Sequence, residues 1–537
     1  MRNLCVIFLI VCFSLGGTSC NKSQEEQKPK VEQRVEKKSG ETVEEKVAPT
    51  GPYDTLRDYL AALEARGKVL RIEKVDQDKY EGTAFVYRML DEMGFDTSPA
   101  IMFEKVKIDG KWRKDPMFAN IFCGWDTAAM VYGVKDITDN QGDMYRAVIK
   151  KMRSFVDEGG QWKQIKPVEV DKSKAPCKEV ILTGDDVDIL KFPWFKNNPG
   201  DVGRYVNTGA VFMEDPKLGR NVGTYRCQVK GKKKIGVNTE VGQHGWIFML
   251  HAKRRGEKVK NVAIALGTDP ITYAMSSTKL AGLGEDELDF AGGFLGRPVE
   301  LVKCETSDLL VPANAEMIIE GEVPTGEVEE EGPYGEMYGY MGKKHKNFYM
   351  NIKAITHRKN PIFANSFTGV TRTTHMIPWQ ASSFFKLKTM VPFLVDTYDP
   401  HEAINIKVLS IKKKFPGQGI AAGQIAAGSP TGKIFIVVDD DIDVTNISQV
   451  LHAVATRWQP DPATLIIPQS NTFTIDPSTP QRLMTSKIVI DATRQLPTEG
   501  GPKKWAPVSR VLLQEKAPES FELVEKKWAE YWKDWKK

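Results

Sequence analysis

Past Phe192-Pro193-Trp194 the chain stops reading as long periodic segments and becomes short extended runs broken by glycine, asparagine and lysine. Val222 to Val229 and Lys234 to Asn238 flank Lys230-Gly231-Lys232-Lys233, a hairpin signal in which a glycine-containing loop joins two apolar runs. Further strands are expected at Val262 to Leu266, Val299 to Lys303, Met317 to Gly321 and Tyr349 to Ile355. Many short strands with glycine turns favour a barrel or sandwich, and this constrains the fold more than any other stretch.

The flanks read differently. Thr55 to Arg66 places Leu56, Leu60 and Leu63 at helical spacing, with Gly67 closing the pattern and Lys68 to Ile72 following as a strand. A further helix is expected near Gly142 to Glu158. From about Pro378 helix and strand alternate again. Lys433 to Val438 is an apolar run that reads as a buried strand ending at Asp439-Asp440-Asp441, and Ile447 to Trp458 reads as a helix. A chain of 537 residues exceeds one domain. The expectation is a mixed α/β multidomain protein: an N-terminal α/β domain over 52–180, a β-rich domain over 181–377 and a second α/β domain over 378–517.

Residues 518–537 close the chain. From Phe521 onward, Val524, Trp528, Tyr531, Trp532 and Trp535 fall at helical spacings between Lys and Glu, which makes an amphipathic helix. Packing on another domain or subunit is the favoured reading, with membrane contact second.

Met1 to Cys20 reads as a targeting segment. Arg2 supplies a positive start, Leu4 to Leu15 a short apolar run, and Gly16-Gly17-Thr18-Ser19 leads with small residues to Cys20. The run is short for a membrane span. The pattern resembles a bacterial lipoprotein signal with Cys20 as the lipidated residue; Gly17 stands where Leu is usual, which leaves simple secretion open. Residues 21–51 are rich in Lys, Glu, Gln and Ser and lack the apolar surface to offset ordering entropy, so a disordered tether is expected. Together these point to an exported protein at the cell or outer membrane, or to a cytoplasmic one if the signal is not used. The cysteines beyond Cys20 are Cys123, Cys177, Cys227 and Cys304, with no Cys-x-x-Cys pair, so neither a structural zinc site nor a disulfide scaffold is indicated. The formal charge of +5 is small and scattered, which argues against a nucleic-acid partner.

Glu331-Gly-Pro-Tyr-Gly-Glu336 is the stretch that carries chemistry. Two carboxylates bracket a turn in which Pro333 fixes its own φ and the glycines can take φ > 0. Such a turn can hold two acids on one side of a rigid loop, one to move a proton and one to orient. A lone acidic surface loop is the bland alternative. Two apparent phosphate motifs fail: Gly428-Ser-Pro-Thr-Gly432-Lys433-Ile434 has the wrong spacing and Ile434 where a hydroxyl is needed, and Gly417-Gln-Gly419-Ile-Ala-Ala-Gly423 precedes a strand. No Gly-x-Ser-x-Gly elbow is present, and His244 and His251 are not at zincin spacing.

Asn221-Val-Gly-Thr-Tyr-Arg226, Gly242-Gln-His244-Gly and Glu331-Gly-Pro-Tyr-Gly-Glu336 occur in the order and approximate spacing of UbiD-type decarboxylases. The resemblance runs from about Thr55 to Ala517 and includes Val437-Val-Asp-Asp-Asp-Ile-Asp443 and Ile490-Asp-Ala-Thr493. It implies that the central domain is a split β-barrel binding prenylated flavin mononucleotide, and that the C-terminal domain helps build a homodimer or larger assembly. It also implies that Asn221, His244 and Glu287 ligate a divalent ion, usually manganese (or magnesium), that holds the cofactor phosphate, often with potassium nearby. Thr224, Gln243, Ser276, Ser277 and Lys433 fall at cofactor-binding positions. Arg226, Glu331 and Glu336 match the catalytic set: Arg226 grips a carboxylate, Glu331 orients Arg226 and Glu336 is the acid/base. Gln243 and Met337 match positions beside the substrate, and Tyr334 replaces the common Phe. The implied activity is non-oxidative, reversible decarboxylation of an α,β-unsaturated or aromatic acid, with a flavin prenyltransferase supplying the cofactor. The competing expectation is an exported lipoprotein that kept the fold and binds a ligand without catalysis. Phe363 to His375 and Trp379 to Phe385 are aromatic-rich stretches that can shape a substrate pocket.

Overall fold

The computed structural model describes residues 48–371, 376–472, 475–479 and 483–534. The targeting segment with Cys20, residues 21–47 of the tether, His375 and Trp535 lie outside the described residues. Residues 48–537 cluster as one compact unit.

The first helix forms where apolar spacing and capping coincide. Leu56–Ala65 is capped by Thr55, whose side chain accepts from the Asp58 amide, and Leu56, Tyr59, Leu60 and Leu63 are buried. The helix expected near residue 142 runs Gln141–Arg153 under an Asn140 cap. A four-stranded sheet follows in the order Val69–Ile72, Ala100–Phe103, Met117–Ala119 and Phe363–Asn365. Its last strand, from the expected 181–377 domain, pairs parallel with Met117–Ala119 of the expected 52–180 domain, and Val168–Glu169 likewise pairs parallel with Glu300–Lys303 across that border. The sheets therefore stitch sequence-distant segments together.

The central sheet has ten strands, labelled here in chain order: β1 Val180–Thr183, β2 Tyr205–Val206, β3 Ala210–Asp215, β4 Gly219–Thr224, β5 Cys227–Gly231, β6 Lys234–Val237, β7 Val259–Leu266, β8 Met317–Pro324, β9 Glu329–Glu331 and β10 His345–His357. The path is β4-β3-β7-β8-β10-β6-β5-β2, with β9 and β1 also pairing β10. The expected mixed α/β fold is present, and its central sheet is branched; among the described residues its two ends, β4 and β2, do not pair, as in a barrel that is split. Branching is possible because β10 is 13 residues long and changes partners along its length, meeting β9 at His345 to Asn347, β6 at Phe348 to Asn351 and β8 beyond. The expected hairpin at Lys230 to Lys233 is present between β5 and β6.

Three helices border this sheet: α1 His244–Arg254, α2 Pro270–Ser277 and α3 Glu287–Leu295. The C-terminal five-stranded sheet runs Leu394–Tyr398, Ile406–Ile411, Ile434–Asp439, Met484–Asp491, Thr464–Asn471, and its buried Val437, Val438 and Phe435 fulfil the apolar-run reading. All four described cysteines are buried and free. The last helix, Pro518–Tyr531, buries none of its residues: Val524, Trp528, Tyr531 and, just past its end, Trp532 are all exposed.

Candidate active site

The expected strand Val222 to Val229 is broken after Thr224, and the break sets the site. Tyr225 and Arg226 leave the ladder between β4 and β5. Arg226 donates from Nε to Glu331 Oε1 at 2.9 Å and from Nη2 to Glu331 Oε2 at 2.7 Å. Its Nη1 bonds Glu336 Oε1. One guanidinium thus bridges both acids of the turn, with its side-on edge filled by Glu331 in the bidentate geometry that favours Arg. With the Nε/Nη2 edge taken by Glu331 and Nη1 by Glu336, the end between Nη1 and Nη2 is what Arg226 has left to offer a further carboxylate.

The turn is clamped from outside. Gly332 sits at φ 73°, where a side chain is strained, and a Cβ on Gly335 would meet Asn198 Nδ2 at 2.4 Å. The Gly335 amide donates to Asp201 Oδ1 at 2.8 Å, and the Val202 amide to Pro333 O at 2.9 Å. Tyr334 is buried; its ring lies 5.1 Å from the Arg226 guanidinium, and its hydroxyl meets Thr368 Oγ1 at 2.8 Å and accepts from Asn207 Nδ2 at 3.3 Å. Tyr205 donates its buried hydroxyl to Glu331 Oε1 at 3.1 Å. Beyond the turn, Met337 is exposed.

Burial pushes the Glu336 carboxyl above the usual glutamate range, outweighing the opposing charge and hydrogen bond of Arg226, with Glu240 and Glu331 adding to the rise. Burial works to lower the Arg226 guanidinium, but Glu331 and Glu336 win and hold it above its ordinary value. The pair is one firmly cationic anchor and one acid inclined to keep its proton.

A second cluster lies along β4 and the helix N-termini. Asn221 is buried, and its Nδ2 has no partner among the described residues. Glu287, first residue of α3 under an Asp286 cap, accepts from the Val222 amide at 2.8 Å through Oε2. Its Oε1 stands 3.8 Å from His244 Nδ1 at the start of α1, too far for a hydrogen bond. One ion can lie between these two groups and take Asn221 Oδ1 as a further ligand; the unpartnered Nδ2 is a donor and would face an acceptor instead of the ion. Among the described residues no three His, Cys, Asp or Glu side chains are grouped so as to hold a metal ion, so this amide, imidazole and carboxylate set would need oxygens from elsewhere. Next to it, Thr224 Oγ1 meets Ser276 Oγ at 2.9 Å and Ser277 Oγ at 2.8 Å, a hydroxyl cluster at the end of α2.

Two expected residues are engaged elsewhere. Gln243 folds its Oε1 back to accept from the Glu240 amide at 2.8 Å. Lys433, at the edge of the C-terminal sheet, is paired with Asp476 at 3.2 Å and with Ser478. Sequence reasoning missed Tyr205, Asp201 and His345, whose Nε2 lies 3.5 Å from Glu331 Oε2. The first two lie in an irregular stretch without periodicity, and the third reaches Glu331 only through the β9–β10 register.

Residues 168–371 match UbiD, described as the 3-octaprenyl-4-hydroxybenzoate carboxy-lyase Rift-related domain, and residues 375–492 match the corresponding C-terminal domain. A phenolic acid decarboxylase of Bacillus subtilis (strain 168) is 32% identical over 472 residues, 83% of this chain and 94% of the relative. The UbiD-class enzyme HmfF from Pelotomaculum thermopropionicum, in complex with FMN, is similar with a TM-score of 0.72 at 28% identity, covering 85% of this chain and 97% of that one. An evolved dimeric form of HmfF in complex with prFMN has a TM-score of 0.70 at 28% identity over the same shares, 85% and 97%. The chain belongs to the UbiD family of carboxy-lyases.

Proposed function

We propose that this protein is a non-oxidative, reversible decarboxylase of an α,β-unsaturated or aromatic carboxylic acid that works with prenylated FMN and a divalent metal. The observation that carries the reading is Glu336: a half-buried carboxyl pushed above its usual range, in contact with an Arg226 already fixed by Glu331. The flavin complexes of HmfF and the phenolic acid decarboxylase relative support the cofactor and the substrate class.

Asn221, His244 and Glu287 would hold manganese or magnesium, and with it the cofactor phosphate; Thr224, Ser276 and Ser277 would offer hydroxyls to the flavin. Potassium is expected beside them. Gln243 and Lys433 would join only by leaving the Glu240 amide and Asp476. When bound, prenylated FMN supplies the carbon centre that engages an unsaturated acid and accepts the electron pair released with carbon dioxide. The protein's own residues handle charge and protons. Protonation of Glu336 weakens its ion pair with Arg226, which frees Nη1 and opens the Nη1/Nη2 end to a substrate carboxylate. Protonated Glu336 then delivers its proton to the carbon that has lost carbon dioxide, and in the carboxylation direction takes a proton from that carbon.

The chain is proposed to assemble as a homodimer or larger homo-oligomer, with the exposed stripe of Pro518–Tyr531 on a second copy. Met1 to Cys20 favours a second reading: an exported lipoprotein anchored through Cys20 that binds a ligand without catalysis, since Sec export moves unfolded chains and the cofactor is made inside the cell. Production of residues 48–537 with a flavin prenyltransferase separates the two. Bound prenylated FMN, bound metal and carbon dioxide release from cinnamate-like or phenolic acids support the enzyme. A folded protein that takes up neither flavin nor metal refutes it.

A further inference from the structure

We infer that His345 is a positioning residue for this site: it holds Glu331 in place and so keeps Arg226 aimed, an inference that rests on the decarboxylase reading above. His345 opens β10 directly opposite Glu331 on β9 in an antiparallel pair, so the two side chains project from the same face as cross-strand neighbours. The ring reaches four acceptors. Nε2 stands 2.9 Å from Asn238 Oδ1, 3.5 Å from Glu331 Oε2 and 3.5 Å from Glu240 Oε1. Nδ1 stands 3.1 Å from Lys343 O.

Each of these groups can only accept, and the Asn238 oxygen is identified by the bond it also takes from Asn347 Nδ2. The imidazole is therefore placed to donate from whichever nitrogen carries hydrogen. The anchor is integral to the site, because the Asn238 amide donates to Arg226 O at 3.2 Å. His345 and Arg226 thus share Asn238 on one side and Glu331 on the other. Charge balance gives the contact its purpose. Glu331 and Glu336 share the Arg226 guanidinium, Glu240 adds negative charge beside Glu336, and Glu331 is almost wholly buried, with 1% of its side chain exposed. A carboxylate so placed needs its donors fixed, since a small rotation would release the Nε/Nη2 edge of Arg226. The short bond to Asn238 sets the ring plane, and the 3.5 Å approach to Glu331 then acts through charge and orientation.

The test compares wild type, His345→Phe and His345→Gln as flavin-loaded protein, with kinetics and a crystal structure of each. His345→Phe is expected to lower kcat about tenfold with KM within about twofold, as for a displaced orienting group. In its structure the Glu331 carboxylate should be rotated off the bidentate geometry with Arg226. His345→Gln keeps an amide N–H and should recover part of the lost kcat. A His345→Phe enzyme with wild-type kcat, or with Glu331 and Arg226 unmoved, overturns the inference. Should the Phe variant not fold, a His345→Gln enzyme with wild-type kcat and an unmoved Glu331 overturns it equally. If wild type releases no carbon dioxide, the decarboxylase reading fails, while the crystal structures still decide whether His345 holds Glu331.

Discussion

Two arginine–carboxylate clusters in this molecule use the same parts to opposite ends. In the C-terminal domain Arg457 donates to Asp439 at 2.7 Å and to both oxygens of Asp441 at 2.8 and 2.9 Å, while Arg494 adds a bond to Asp441 at 2.6 Å. Two guanidinium groups face two acids there. Burial pushes Asp441 up, yet the hydrogen bonds and charges of Arg457 and Arg494 win and hold its carboxyl below the usual range. Asp439, which the Arg494 guanidinium does not reach, is pushed up by burial. In the central site one arginine among the described residues, Arg226, serves both Glu331 and Glu336, Glu240 adds negative charge beside Glu336, and Glu336 is pushed up. The number of cations per acid separates an electrostatic staple from an acid poised to hold a proton.

The sharpest way to break the comparison is Glu336→Gln. If Glu336 is the proton donor, turnover should fall by about 10²–10⁴, with flavin content and melting temperature kept, as read from carbon dioxide release. Arg226→Lys comes next. Lysine cannot fill the bidentate edge that Glu331 occupies, and kcat/KM should drop about 10²-fold by the same assay. The staple should behave in the opposite way. Arg457→Met leaves buried Asp439 without its guanidinium partner, while exposed Asp441 keeps Arg494; it should cost about 3 kcal/mol in denaturant unfolding, with turnover per folded molecule unchanged. The smallest effect belongs to Tyr334→Phe, which removes only the bonds to Thr368 and Asn207; about 1 kcal/mol of stability and less than a twofold change in kcat are expected.

The two clusters also differ in the pH window over which they act. Asp441 is held low, so its share of stability is present above the ordinary aspartate range and is lost as acid protonates it. Glu336 is held high, so its share is present below the ordinary glutamate range and is lost as pH rises through its elevated value. The protonated acid is lost over that same upper interval, so decarboxylation should fall as pH rises through it. A kcat profile that climbs there would show that Glu336 acts as a base in this direction.

Much of this was legible because the chemistry lies in contiguous motifs. Asn221 and Arg226 share one stretch, Glu331 and Glu336 one turn, and the apolar run at Lys433 to Val438 has a single good solution as a buried strand. What the sequence hid depends on pairing between distant segments. Nothing local shows that β10 changes partners along its 13 residues, so neither the branched sheet nor the meeting of His345 with Glu331 could be read. The expected strand Val222 to Val229 was apolar enough to look continuous, and only the structure shows Arg226 leaving it. The stripe of Trp528, Tyr531 and Trp532 announced a helix without saying what covers it, and this chain leaves it exposed.

The most direct test of the account is carbon dioxide release from phenolic and cinnamate-like acids by wild type and Glu336→Gln, both loaded by coexpression with a flavin prenyltransferase and matched for flavin content. The account predicts release by wild type and release slower by about 10²–10⁴ from the variant. Equal release from the two, or a wild type that binds flavin and releases nothing from any acid of the class, would contradict it.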